Sequence, residues 1–283
     1  MDRFSRGWDF IQKSFAILGS NKDLLIFPAA SAASCIIASM WILGIFGFAY
    51  GDQVRSLFMS NPQHLMMTHE MWAGLFLLYV VNYFIVVFFN VGLVISATDR
   101  IAGGHASINQ GLDLAWRRKG KIFQWAVVAA TFGILMKVAE RRLSFLERMG
   151  LRLIEMAWGL ATVFIAPVLA AEDIGPIDAL RRSSQIFKET WGEKLAGGYA
   201  LGLYFLLLAI PGVVAPFILF RLFGTMGMIA GYALMALYFL LLSTISATVE
   251  GVLIAALYRY ATTKEASKPF RTGDFATVWR AKA

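Results

Sequence analysis

The chain has 283 residues, 58% of them hydrophobic and only 16% charged, with a mean hydropathy of +0.64. A soluble domain is about half apolar and about a quarter charged, so this balance excludes a water-soluble fold. The net charge of +8 would suit nucleic acid, but it lies in short segments between long apolar runs. There it sets topology and attracts anionic lipid, at about 1 kcal/mol per residue near the surface, and no nucleic-acid partner is expected.

Uncharged stretches cover 24–51, 71–98, 122–136, 156–171, 195–220 and 222–249. A helix rises about 1.5 Å per residue, so roughly 20 residues cross a hydrocarbon core of about 30 Å. The expected fold class is all-α: a polytopic membrane helix bundle of about six transmembrane helices, with three amphipathic surface helices on the cytosolic side.

The first amphipathic segment places Phe4, Trp8, Ile11, Phe15 and Leu18 on one face, with Arg3, Arg6, Gln12 and Lys13 off it. Residues 2–23 carry both charge signs and do not read as a cleavable signal. The first apolar run holds the single cysteine, Cys35, which is neither half of a disulfide nor a metal cluster. In the second run Asn82 and Asn90 stand eight apart and so share roughly one helix face. They read either as hydrogen-bonding glue between helices or as the lining of a polar path. The run ends in Ile95-Ser96-Ala97-Thr98-Asp99.

After a break at Gly103-Gly104, Ser107 and Gln110 form a capping box for a second amphipathic segment. Ile108, Leu112, Ala115 and Trp116 make its face, and Arg117, Arg118 and Lys119 close it. Runs three and four are short, and two readings stand. Either flanking lysines and arginines snorkel and both runs cross, making 137–155 a charged outer hairpin, or 122–171 is re-entrant. The fourth run ends in Leu169-Ala170-Ala171-Glu172.

Pro176 suits the first turn of a third amphipathic segment, with Ile177, Leu180, Ser184, Phe187 and Trp191 on one stripe and Arg181 and Arg182 off it. In the fifth run Pro211, Gly212 and Pro216 predict a kink. Residues 222–258 are apolar except for Glu250, too long for one untilted span, so a turn is expected near 222–226. Ile245-Ser246-Ala247-Thr248-Val249-Glu250 then echoes the endings at Asp99 and Glu172.

The plan repeats: a surface helix, a span out, a span back and a terminal carboxylate. It suggests three parallel repeat units at 1–99, 100–172 and 173–260, followed by a tail at 261–283, all in a single membrane domain. With the N-terminus inside, the cytosolic segments hold 19 of the 26 lysines and arginines, which orients both termini to the cytosol.

Ala166-Pro167-Val168-Leu169-Ala170-Ala171-Glu172-Asp173-Ile174-Gly175-Pro176, followed by Ala179-Leu180-Arg181-Arg182-Ser183, carries a resemblance. It resembles an uncharacterised family of prokaryotic six-span membrane proteins, known as a domain of unknown function. The segment from Gly7-Trp8 to Phe27-Pro28 fits the same family. More distantly, the plan is similar to the membrane domain beside some glycerophosphodiester phosphodiesterases. The resemblance implies a helical membrane fold in the cytoplasmic membrane and no activity.

Catalytic signatures are missing. His64, His69 and His105 with one cysteine cannot build a usual zinc site, and no phosphate-binding loop or nucleophile elbow occurs. No enzyme activity, cofactor or metal is expected. The candidate polar or ion site is Glu250, Asp99, Glu172, Asn82 and Asn90, since ionisable groups at membrane depth face an interior, a partner or water. Arg117, Arg118, Lys119, Arg181 and Arg182 are the candidate contacts for anionic lipid. The function expected is a non-enzymatic membrane-organising, lipid-interacting or scaffold role, with a transporter or channel for a small solute, ion or lipid as the alternative. Protein partners and oligomeric state are open.

Overall fold

A computed structural model describes the backbone of residues 3–59 and 69–263; the side chains of 3–11, 52–59, 70, 141, 145–146 and 190–200 lie outside the description. The chain runs through α1 (Arg3–Ser20), a short 3-10 turn (Lys22–Leu25), α2 (Ile26–Met59), α3 (His69–Ile101), α4 (Ile108–Arg117), α5 (Lys119–Arg142), α6 (Phe145–Thr162), α7 (Ile165–Ala171) and α8 (Pro176–Thr263). No strand occurs among the described residues.

Five segments are helical, long and apolar enough to cross a membrane: Lys22–Gly51, Met71–Ile101, Lys119–Glu140, Glu147–Ala171 and Leu201–Thr263. The charged stretch at 137–155 is a tight helical hairpin. Its turn is closed by Ser144, whose backbone N–H and hydroxyl both donate to Glu147 at 2.7 Å.

The fifth segment has 63 residues, roughly 95 Å of helix at 1.5 Å per residue, and it reverses once. Gly224 sits at φ 60°, ψ −144°, a region that a residue without a Cβ enters without penalty. The two arms, 201–223 and 225–263, then run antiparallel. A Cβ on Gly231 would meet the Pro216 ring at 3.1 Å, and one on Gly212 would meet Tyr238. Both prolines keep helical φ/ψ, so the change of direction falls at Gly224 and not at Pro211 or Pro216. The Tyr238 hydroxyl donates to the Leu208 carbonyl in the turn before Pro211, where a proline weakens the helix ladder.

Burial is concentrated at one end of the bundle, where the odd apolar runs begin and the even ones finish. Leu24 and Phe27 from the start of the first run meet Val91, Leu93, Val94 and Ala97 of α3. Ile122, Trp125 and Ala129 of α5, Phe164–Leu169 around α7 and Val249–Tyr258 of α8 complete the core. Away from this end the helices expose large apolar side chains such as Trp41, Phe48, Leu206 and Phe217. α3 is the hub, touching α2, α4, α5, α7 and α8.

The amphipathic segments feed this core. In α1, Ser14, Ile17 and Leu18 are buried, and Phe15 packs on Tyr204 and Phe205 at 5.7 and 6.3 Å. The expected face residues Phe4, Trp8 and Ile11 lie outside the described residues. α4 begins with the expected Ser107–Gln110 capping box and buries Gly111 and Ala115 against α3, while Trp116 stays 57% exposed. The third segment differs from expectation. It is no separate helix but the opening of α8, and it buries Ala179, Ser183 and Ile186 while Ile177 faces out. The stripe located this face only in part: Leu180 and Phe187 pack on the core, while the small Ala179 and Ser183 are the fully buried residues that let α8 approach the α6–α7 junction closely.

Candidate functional site

Several of the described polar contacts lie at the packed end, and each sequence candidate has a definite setting. Asp99 caps the turn after α3. Its Oδ2 accepts from the Ala106 N–H at 2.8 Å, and its carbonyl accepts from Gly104 at 2.9 Å. A Cβ at Gly104 would run into the Asp99 carboxyl, and Gly103 holds φ 91°, which is why two glycines stand there. Arg100, next in sequence, clamps Asp23 through both terminal nitrogens at 2.7 and 2.6 Å and also donates to the Ala106 carbonyl. This bidentate pair ties the start of the first apolar run to the end of the second.

Glu172 and Asp173 tie the second half together. Arg182 Nε donates to Glu172 Oε1 at 2.9 Å, the Tyr258 hydroxyl donates to the same oxygen at 3.3 Å, and Arg118 pairs with Asp173 at 2.9 Å. The hydrogen bond to Glu172 is the main reason the Arg182 pKa lies above its usual value. Arg118–Asp173 joins the start of the third run to the end of the fourth, as Arg100–Asp23 does for the first pair, with the charges exchanged.

Glu250 is exposed on α8. Asn82 is held by Ser39, with its amide nitrogen 3.1 Å from the hydroxyl, and it also donates to the Leu78 carbonyl at 2.8 Å. Cys35 lies one turn from Ser39 on the same face, its sulfur 4.0 Å from the Asn82 carbonyl. Asn90 is half-buried and makes no side-chain hydrogen bond to a described residue. Asn82 and Asp99 stand 17 residues apart on one helix, about 25 Å. The asparagine site and the carboxylates are therefore separate places.

The five basic candidates divide. Arg118 and Arg182 are half-buried and engaged by Asp173 and Glu172. Arg117 and Arg181 are 72% and 74% exposed, each beside an exposed aspartate on its own helix. Lys119 lies over the Trp116 ring, 4.1 Å from its centroid. Among the described residues no three His, Cys, Asp or Glu side chains group as metal ligands.

Three contributors escaped sequence reasoning. Ser183 is fully buried, and its Oγ accepts from the Phe164 backbone N–H at 3.0 Å where the chain breaks between α6 and α7. Tyr258 reaches Glu172 from 86 residues away, and Asp23 pairs with Arg100 across 77. Nothing in local spacing announces such contacts.

A family model described as a family of unknown function, DUF6159, matches residues 70–268. The chain belongs to the DUF6159 family. The match takes in α3 to the end of α8, so the hub helix and both carboxylate–arginine clusters of the second half are family territory. α1 and α2 precede it yet pack into the same core. No curated protein matches the chain. The DUF6159 assignment thus agrees with the uncharacterised family expected from the sequence and brings no activity with it.

Proposed function

We propose that the protein crosses the prokaryotic cytoplasmic membrane six times, keeps both termini in the cytosol, and serves as a non-enzymatic factor that gathers anionic lipid or scaffolds other proteins. The observation that carries this reading is the division of charge at the packed end. Asp23, Asp99, Glu172 and Asp173 hold the fold together, while Arg117 and Arg181 are exposed and Lys119 lies over the exposed Trp116. An interfacial tryptophan with basic neighbours suits the headgroup level of a bilayer.

Six crossings follow from counting the arms on either side of Gly224 separately. Orientation rests on the 19 lysines and arginines that the sequence places in the expected cytosolic segments. The exchanged ion pairs Asp23–Arg100 and Arg118–Asp173 support likeness between the first two helix pairs of the proposed threefold plan, and likeness to the phosphodiesterase-associated membrane domain enters only at that level. The test is lipid composition. Wild type and a triple variant R117Q/K119Q/R181Q are extracted into native-lipid discs, and the ratio of phosphatidylglycerol to phosphatidylethanolamine is measured. A drop of about twofold is expected; an unchanged ratio refutes the reading.

Permeation is the second reading, favoured by Asn82, Ser39 and Cys35 meeting inside the apolar region. Solute flux in proteoliposomes that Asn82→Leu abolishes would put it first.

A further inference from the structure

Arginine cannot shed its proton in a protein, so each guanidinium in a packed region needs acceptors. Arg100 has Asp23 and the Ala106 carbonyl, Arg118 has Asp173, and Arg182 has Glu172. Arg259 has none. It is half-buried in the last turns of α8, and its Nε is out of contact with solvent and has no hydrogen-bond partner. Leu257, Tyr258, Tyr260 and Ala261 around it are buried.

Among the described residues, the nearest internal candidates for its partner are engaged elsewhere or out of reach. The Arg259 carbonyl accepts from the Thr262 and Thr263 hydroxyls, and the Tyr258 carbonyl from Thr262, so threonines and not the guanidinium cover the last-turn carbonyls. Glu250, the nearest carboxylate along the described part of α8, is nine residues back, about 13 Å along the axis and on the opposite face. A buried, charged donor without an acceptor is among the more costly arrangements in a protein.

We propose that Arg259 anchors a site for a phosphate group, borne by a membrane lipid or free in solution, which the Nε and terminal nitrogens of the guanidinium grip side-on. The planar fork matches two oxygens of a tetrahedral anion. The lipid form of the site rests on the reading of the packed end as a membrane-surface face.

The experiment uses full-length protein, stripped of lipid in a nonionic detergent, with thermal unfolding followed by tryptophan fluorescence. Short-chain phosphatidylglycerol and inorganic phosphate are titrated against wild type, R259M and R259K. Wild type is expected to be stabilised by at least one of them, at a midpoint concentration at least tenfold lower than for R259M. R259K, which offers a point charge without the fork, should fall several-fold short of wild type. Lipid-free R259M should melt at or above wild type, because an unpaired buried donor is replaced by an apolar chain of similar shape. An Arg259-dependent response to phosphatidylglycerol alone assigns the site to a headgroup, and a response to inorganic phosphate assigns it to a soluble anion. Equal midpoints in wild type and R259M or R259K overturn the site but leave the lipid-binding reading standing. Loss of fold or a lower melting point in lipid-free R259M also overturns it, since the guanidinium would then serve the fold itself. No stabilisation of wild type by either probe removes the site, and failure of phosphatidylglycerol to enrich around the protein removes the functional reading separately.

Discussion

Ser183→Ala isolates one hydrogen bond at the point where α6 gives way to α7. The Phe164 N–H that donates to Ser183 Oγ at 3.0 Å is buried, and both residues have zero exposure. Alanine keeps the close approach of α8 and leaves the N–H facing a methyl group. An unpaired buried donor costs about 1–3 kcal/mol. At about 2 kcal/mol, and roughly 2–4 °C per kcal/mol for a chain of this size, the melting midpoint falls by roughly 4–8 °C. Trp158, six residues before Phe164 and stacked between Trp125 and Phe132 at 5.7 and 4.0 Å, makes fluorescence in detergent a local reporter. Ser184→Ala is the control. Its hydroxyl donates to the Arg181 carbonyl at an exposed position, so its effect stays within about 0.5 kcal/mol. Equal melting of the two variants would refute the claim that the junction depends on Ser183.

Other substitutions test other parts of the fold. Gly111→Val puts a Cβ 2.8 Å from the Gly92 carbonyl oxygen and 3.1 Å from the Phe27 ring; backbone cannot yield, so α4 is pushed off α3 and stability drops by about 1–3 kcal/mol in thermal unfolding. Gly224→Ala forces a side chain into φ 60°, ψ −144°, costing about 1–3 kcal/mol, and cysteine cross-linking between positions 212 and 238 should slow as the arms lose their register. Asn82→Ala removes the contact with Ser39 inside the apolar region, and its effect on the melting midpoint should correspond to about 0.6–2 kcal/mol, the range of hydrogen bonds between membrane helices.

Length and composition made the helices legible. The capping box at Ser107 and Gln110, the hairpin at 137–155 and the reversal within 222–226 were all readable, because each depends on neighbours in sequence. The facing of α8 was only partly so. Hydrophobic periodicity marks Ile177, Leu180, Ser184, Phe187 and Trp191 as a stripe, of which Leu180 and Phe187 pack on the core and Trp191 lies outside the described side chains, whereas full burial falls on Ala179, Ser183 and Ile186. Proline chemistry pointed to a kink at Pro211 or Pro216, yet a neighbouring tyrosine hydroxyl supports the weakened turn and Gly224 makes the bend instead. The acidic residues were located as a set, but their partners lie up to 86 residues away, and pairing at that range has no local signature.

The core joins the two extremes of the chain. Ile17, Leu24 and Phe27 come from its first tenth, and Val249 to Ala261 from its last eighth, and α1 has its most extensive packing against α8. During synthesis, the helices that precede α8 can pack only on one another and on lipid. Only when the final helix emerged from the ribosome could the packed end close around α3. A nascent chain stopped short of residue 249 would thus lack the share of the core from Val249 to Ala261, with Arg100, Arg118 and Asp23 able to pair and Glu172 still waiting for Tyr258. Membrane proteases would meet that species as a stage of every round of biosynthesis.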